Sequence, residues 1–507
     1  MIKRALLILL TLGSTSLFCL EHIPGSAFKQ PIKAEFHSSL LNFPEATKTD
    51  SISIYGKGLY HPFHNLPRFG DAILDAFRTG KPRHSLLGYQ SPDKLLRAEF
   101  NILAGYEPVL GDSLYAFFYK GFRLESAIGK HWQLNTHWWN GIFFGVQSEA
   151  ATNELIDGYN RPSNERINLD NLSGDFSYNA RNLSLALGRG KFPLGNSLSG
   201  SVILNDIVND YAYLLAEGKA GAFSLSFLHG SLMADSTYSI YEYPSLNSKN
   251  YPDKFLAVHQ LGYQARHNLN LFLGEVVIYG NRSIDLNYLL PNAFWRATEH
   301  NLWDRDNVMI YAGGNFRPLK PLFLYGQLAL DEFSYGKLNT DWWGNKYALQ
   351  GGARYSLPFA LPQSKQPDLT VELTAVRPFT YTHYLNHTMY SHDTRSLGYP
   401  KGSNLIDVTA SFKLPFRDIL HWQNEVSYTK QGSFGSDWRQ NYHDVFPGES
   451  LHNGTAEWFQ GTVTKTTELR SSLLVDLFAH HRLLAGLCAT KSNNWDSKVF
   501  TAWQFVY

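Results

Sequence analysis

Apolar and polar residues alternate with a period of two along much of this chain. Leu369, Val371, Leu373 and Ala375 are separated by Thr370, Glu372 and Thr374, and Ile406, Val408, Ala410, Phe412 and Leu414 by Asp407, Thr409, Ser411 and Lys413. Trp422, Val426 and Tyr428 oppose Gln423, Glu425, Ser427 and Thr429 in the same way. That period predicts β-strands with one oily and one polar face. In a soluble sandwich the oily face turns to a shared core, whereas in a barrel set in lipid it points outward and the polar face lines the lumen. The alternation is common to both, so the connections have to decide between them.

Those connections alternate in length: Arg317 to Pro321 is short, Phe333 to Asn345 longer, Pro415 to Asp418 short and Gln431 to Glu457 long. Outer-membrane barrels show this asymmetry, with short periplasmic turns and long extracellular loops. The chain finishes on Val499, Thr501, Trp503, Phe505 and Tyr507, alternating with Phe500, Ala502, Gln504 and Val506, a terminal aromatic strand like those that end bacterial outer-membrane barrels. Counting back from a periplasmic Tyr507, the segments Ser148 to Asn171, Leu232 to Lys254, Asn281 to Asn307 and Thr382 to Ser403 all fall outside. The reading is therefore all-β, a transmembrane antiparallel β-barrel over residues 95–507 whose first strand is Leu95 to Gly105. At about 23 residues per strand with its share of loop this makes about 18 strands, with 16 also compatible because Asn182 to Leu215 is hard to parse.

At the amino terminus, Lys3 and Arg4 precede the apolar run Ala5 to Leu12 and the small residues Ser14 to Ser16, the order of a secretory signal over residues 1–20. The bulky Leu17-Phe18 before Cys19 argues against a lipoprotein anchor. Residues 21–94 differ in kind. There Pro67 to Asp71 lead into Ala72, Ile73, Leu74, Ala76 and Phe77, a short amphipathic helix ended by Gly80 and Pro82, read as a small periplasmic or plug-like region. Composition narrows the class: charged residues are 18% and aromatic residues 15% of the 507, against about 25% charged in soluble proteins. With a mean hydropathy of −0.26 and no long apolar run after the amino terminus, a helical membrane bundle is excluded and a barrel is not. A net charge of +1 gives no bulk field for nucleic acid, and two cysteines are too few for a disulfide framework.

The middle of the chain carries a resemblance. Leu187-Gly188-Arg189-Gly190-Lys191 runs on to Gly195 and Ser201-Val202-Ile203-Leu204-Asn205-Asp206. Then come Ile284 to Pro291 with Phe294 and Glu299, Asp306-Asn307, Leu324-Tyr325-Gly326-Gln327 and Leu330-Asp331-Glu332-Phe333. In this order, over roughly Gly188 to Phe333, the segments resemble the capsule assembly Wzi family of outer-membrane proteins. The resemblance implies an 18-stranded barrel with a helical periplasmic segment, acting as a surface lectin that helps organise capsular polysaccharide. This chain shows one clear helix before the barrel, so a periplasmic partner stays unassigned.

Physically, Tyr325, Gln327 and Asp331 share the face of their strand that should point into the lumen. Charges there need partners or water. Arg189, Lys191, Asp285, Arg296, Glu299, Asp306 and Asp331 are a candidate network, with Gln327, that pins the Asn281 to Asn307 segment inside or above the barrel. Direct sugar contact by the same residues is the alternative. Adjacent carboxylates such as Asp331 and Glu332 face opposite sides of a strand and cannot flank one glycosidic bond, so no enzyme activity is expected.

The expected outer loops are rich in aromatics: Trp342 and Trp343, Trp438, Tyr241 and Tyr243, and Tyr384 are the candidate glycan contacts. Ring faces stack on the apolar faces of sugars while amides and carboxylates bond the hydroxyls; an interfacial aromatic girdle is the competing account, favoured for Trp138 and Trp139. His383, His387 and His392 with Asp393 offer metal-ligand types, yet loop histidines are usually unliganded, so neither metal nor cofactor is assigned. The partners expected are outer-membrane lipids and a surface polysaccharide. A porin-like diffusion channel for small solutes is the alternative function, and occlusion of the lumen discriminates the two.

Overall fold

The structure is a computed structural model that describes residues 86–506 except 94, 111–113, 145–165, 235–251, 338–339, 359–365, 394, 417–419, 451, 479–480 and 493. The expected signal peptide and amphipathic helix, nearly all of the 21–94 region, Tyr241, Tyr243 and Tyr507 lie outside the described residues.

In chain order the strands are β1 (Leu87–Gln90), β2 (Leu96–Leu110), β3 (Leu114–Ile128), β4 (Trp132–Phe144), β5 (Arg166–Asn179), β6 (Leu183–Gly190), β7 (Tyr211–Ala220), β8 (Phe223–Leu232), β9 (Lys254–Arg266), β10 (Leu269–Gly280), β11 (Asn307–Leu319), β12 (Leu322–Glu332), β13 (Lys346–Ser356), β14 (Asp368–Val376), β15 (Ser391–His392), β16 (Arg395–Ser396), β17 (Leu405–Phe416), β18 (Leu420–Gly432), β19 (Val463–Phe478), β20 (His481–Lys491) and β21 (Trp495–Val506). β15 and β16 pair only with each other, and the short β1 pairs antiparallel with the first part of β2 alone; the other 18 pair antiparallel with their neighbours. The ring closes where β2 meets β21, with Leu103 opposite Val506 and Tyr106 opposite Trp503. The protein is thus a closed 18-stranded antiparallel β-barrel, and the stretch Asn182 to Leu215 resolves into β6, a long connection and β7. The first crossing strand runs to Leu110, five residues past the expected Gly105.

Alternation sorts the side chains as the sequence pattern implies. Leu271, Leu273, Leu369, Val371, Leu373, Val408, Trp422, Val426 and Tyr428 are exposed on the outer wall, while Glu372, Asp407, Thr409, Ser427 and Thr429 are buried on the inner one. So much exposed apolar surface is stable only against lipid. β5 begins at Arg166, inside the expected loop Ser148 to Asn171, because Asn168 and Asp170 share the outward face with Leu172; a strand that runs beyond the hydrocarbon carries polar outward residues there. The two tryptophans assigned to a girdle separate. Trp138 stands on the outer wall, 5.6 Å from Phe122, whereas Trp139 points inward, edge-on to Phe117 at 5.7 Å. The inward group also holds Phe143, Leu169, Leu484, Cys488 and Phe500.

The described connections join on two sides of the barrel, the long ones on the side opposite β21's end and β2's start. An epitope inserted after the exposed Gly448 should therefore be reached by antibody on intact cells, and one near Arg417, between β17 and β18, only after permeabilisation. The reverse labelling would mean that the strand phase is inverted.

Candidate functional site

Two long connections fold inward rather than away from the barrel. From the β6–β7 connection, Phe192, Leu194, Val202, Ile203, Leu204 and Val208 enter one buried cluster; from the β14–β17 connection, Tyr381, Met389, Tyr390, Leu397 and Tyr399 join it. Inward residues of β6 through β14 and β17 complete it, among them Leu256, Val276, Met309, Ala329, Ala348 and Leu405. The loop Thr382 to Ser403, expected to project outside, is therefore part of a plug.

Polar anchors hold the two loops to each other and to the wall. Asn205 N–H donates to Leu397 O at 2.8 Å, and the Asn205 side-chain amide donates to the carbonyls of Ser396 and Gly398. Tyr381 Oη–H donates to Val202 O at 2.8 Å and Tyr390 Oη–H to Ile203 O at 2.5 Å. On the wall, Glu372 accepts from Leu198 N–H at 2.7 Å, from Ser199 N–H at 3.0 Å and from Tyr325 Oη–H at 2.6 Å. Charge-assisted bonds of this kind offset the burial of a carboxylate. Lys346 donates to Thr382 O at 3.1 Å, and Lys254 to Ser391 Oγ at 2.9 Å. Gly195, at φ +85°, lies where any Cβ would strike the Gln327 amide, so the loop passes the wall at glycine distance.

Of the expected network, Gln327 and Asp331 do pin a loop, but not the one expected. Gln327 donates to Gln350 Oε1 at 2.5 Å and reaches Ser201 Oγ at 3.4 Å, while Asp331 accepts from Tyr381 N–H at 2.7 Å. Arg189 is exposed on the outward face of β6 with Leu183, Leu185 and Leu187, and Lys191 donates to Val208 O at 2.9 Å, within the β6–β7 connection. That segment is neither inside nor simply above the barrel. It folds over the rim and down the outer wall: its Tyr288 and Trp295 pack on Phe227, Ala257, Val277, Tyr279 and Val308, which share the outward face of their strands with exposed Leu225, Leu261 and Leu273. Helix α1 (Trp295–Asn301) begins on Glu275, which accepts from Trp295 N–H at 2.8 Å and Arg296 N–H at 2.9 Å.

The centre of this outer patch is Arg282, which the sequence reading passed over. It pairs with Asp306 at 2.7 Å and Asp285 at 3.3 Å, and Tyr288 Oη–H donates to Asp306 at 2.8 Å. Asp285 and Asp306 thus share Arg282, whereas Glu299 bonds Arg296 at 2.8 Å. Burial pushes the Glu299 carboxyl up to about 7 against the pull of Arg296. With His300 and Asp304 it brings three ligand-type atoms within 4.8 Å of one another, though its bond to Arg296 competes with any cation there.

The rim aromatics divide by exposure. Trp438 is 6% exposed, its side chain in the plug cluster, so it offers no ring to a ligand. Trp343 is half-buried, stacked on Tyr442 at 4.7 Å and edge-on to Phe379 at 6.4 Å. Trp342 is half-buried beside it, and Tyr384 is exposed and stacked on His383 at 4.2 Å. Trp303 and Tyr335, at 91% and 84%, are the most exposed rings among the described residues, and neither stood out in the sequence because each lies outside an aromatic cluster of its own.

The loop histidines have structural work. His392 Nδ1 accepts from Met233 N–H at 3.0 Å, and His383 Nδ1 lies 2.5 Å from Thr388 Oγ1. Burial pushes both imidazoles down to about 3; Lys346, His387 and Arg296 act in the same direction on His383, as do Lys254 and Arg189 on His392, where Asp210 opposes.

No protein-family profile and no curated protein matches this chain. Among solved structures it is similar to Wzi of Escherichia coli, described as a carbohydrate-binding β-barrel involved in group 1 capsule assembly, with TM-score 0.52 and 14% identity over 81% of this chain and 84% of that one. OccK5 (OpdH) of Pseudomonas aeruginosa aligns with TM-score 0.46 and 10% identity over 81% of this chain and 97% of its own, and OprD of the same organism with 0.44 and 10% over 81% and 94%. The fold is that of an outer-membrane β-barrel.

Two outcomes are expected of the plug. Glu372→Ala orphans two backbone N–H groups at about 1–3 kcal/mol each, so conductance in planar bilayers should rise while the heat-modifiable folded band persists; unchanged conductance would show that the loop does not obstruct ions. The buried histidines titrate near 6.5 once released. Their lowered values favour docking fully above that pH, and this contribution is lost as pH falls from 6.5 toward 3. Proteolysis of the β14–β17 loop should accelerate over that interval, and a flat profile would count against the histidine account.

Proposed function

We propose that this barrel binds polysaccharide at the cell surface and takes no part in covalent chemistry on it. The observation that carries the reading is the plug: a ring of 18 strands is wide enough for an aqueous channel, yet two loops with a shared apolar cluster occupy the lumen beside β6 through β14 and β17. The rim then offers Trp303, Tyr335, Tyr384 and half-buried Trp342, beside Lys337, whose ammonium lies 5.8 Å from the Trp342 ring centroid. Rings flanked by hydrogen-bonding groups suit a polymer that presents apolar ring faces and many hydroxyls. The likeness to the carbohydrate-binding Wzi barrel is consistent with this, and export through a cleaved signal peptide completes the reading. A diffusion channel for small solutes is favoured by one feature, the inward ion pairs Arg123–Glu125 at 3.1 Å and Arg470–Glu425 at 3.7 Å, which could line a polar path.

The test compares Tyr335→Ala combined with Tyr384→Ala against the parent for cell-associated glycan, folded abundance and conductance. Losing a stacking platform costs about 1–3 kcal/mol by analogy with base stacking, so glycan retention should fall roughly tenfold or more with abundance unchanged. Unchanged retention, together with a stable conducting state of the parent, would turn the conclusion to the channel.

A further inference from the structure

A cavity lies on the opposite side of the wall from the plug. It has a volume of about 410 Å³, and its floor is Leu328, Leu330 and Leu349. These residues stand on the outward face: Leu328 is opposite Leu349 and Leu330 opposite Tyr347 in the β12–β13 ladder, and Leu349 is opposite outward Ala375 of β14. Leu349 is itself 47% exposed, continuous with the lipid-facing Leu373. The cavity therefore opens from the apolar band.

Its upper end is built by two loops. The β12–β13 and β18–β19 connections join through the Trp342–Thr455 bridge and the bond from Ala456 N–H to Asp341 O at 2.7 Å. They bring Trp458 and Asp341 over the leucines. Arg377 sits behind them, 3% exposed, donating to Ala456 O at 2.9 Å, 5.5 Å from the Trp458 ring centroid and 3.7 Å from Asp341. The guanidinium is thus compensated by a carboxylate and by carbonyls, so this end holds no unmatched positive charge for a phosphate. It offers a carboxylate acceptor and aromatic faces, the groups that bind sugar hydroxyls and ring faces.

We propose that this cleft is a binding site for a saccharide-headed lipid of the surrounding leaflet, with an acyl chain along Leu328, Leu330 and Leu349 and the sugar under Trp458 beside Asp341. Its volume falls in the range of ligand pockets, about 300–1,000 Å³. A free oligosaccharide would leave the leucine floor uncovered, and a phospholipid would set its phosphate beside the Asp341 carboxylate with no unmatched cation to receive it. None of the rim rings Trp303, Tyr335, Trp342 or Tyr384 lines this cleft.

The protein, purified in lauryldimethylamine oxide, is incubated with a phosphate-free diglucosyl diacylglycerol, with phosphatidylethanolamine or with the lipid-free head-group oligosaccharide, and retained molecules are counted by native mass spectrometry. The parent should retain the glycolipid selectively. Leu349→Trp, which fills the floor from its lipid-facing side, and Trp458→Ala, on a loop outside the strands, should each reduce that retention about tenfold while the folded band persists. Equal retention of phosphatidylethanolamine, retention unaltered in both variants, or binding of the lipid-free oligosaccharide as strong as that of the intact lipid would overturn the proposal. Either variant alone suffices should the other fail to fold.

Discussion

Closure of the sheet is the constraint on which the rest of this structure depends. In lipid no water reaches the backbone, so a spanning strand is stable only if every N–H and C=O is satisfied within the protein. The β2–β21 ladder removes the last edge. Once the ring is closed, a one-residue slip would turn every leucine of a strand into the lumen and every carboxylate into lipid, so register and facing are fixed together. Closure at 18 strands has a further consequence: strand side chains alone cannot fill so wide an interior. Water, or chain from the loops, has to occupy it.

β9 to β11 show how the chain answers. Val276 and Ile278 of β10 face the plug while Val277 and Tyr279 of the same strand face the outer segment, so this part of the wall is covered on both sides. Each cover is fastened by a buried carboxylate on the wall. Glu372 accepts the backbone of the β6–β7 loop, and Glu275 accepts the first N–H groups of α1. A carboxylate is costly to bury and more costly to leave without partners, which makes these bonds selective for one docked position of each loop.

The alternation in β14, β17 and β18, the phase of long and short connections and the terminal aromatic strand were legible because each depends on local period alone. What the loops do was not. The rule that lumen faces are polar holds where water or polar anchors meet the wall, and it fails where a plug packs on it. The continuous run Val276-Val277-Ile278 carried that information, since a strand apolar on both faces has to be covered on both. Trp438 was misread as a surface ring for the same reason: its loop belongs to the rim, but its side chain turns into the plug cluster. Asp285 and Asp306 were recognised as charges in need of partners, and the partner, Arg282, lay outside the motif segments that drew the eye.

The plug and the rim are not separable devices. Phe379 N–H donates to Gly435 O at 2.8 Å and Ser403 N–H to Ser436 O at 2.8 Å, so the β18–β19 loop that carries Trp438 and Trp458 is hydrogen-bonded to the loop that enters the lumen. Trp343 stacks on Tyr442 of that same loop, and its neighbour Trp342 bridges to Thr455. A force on the rim is therefore carried by backbone bonds into the plug, with no flexible spacer among the described residues of this contact. Anything that binds the docked rim more tightly than the undocked one stabilises the plug by the difference in its affinities for the two states. On the proposed function, ligand binding at the rim and docking of the plug then reinforce each other, because the loop that enters the lumen is bonded to the loops that build the rim.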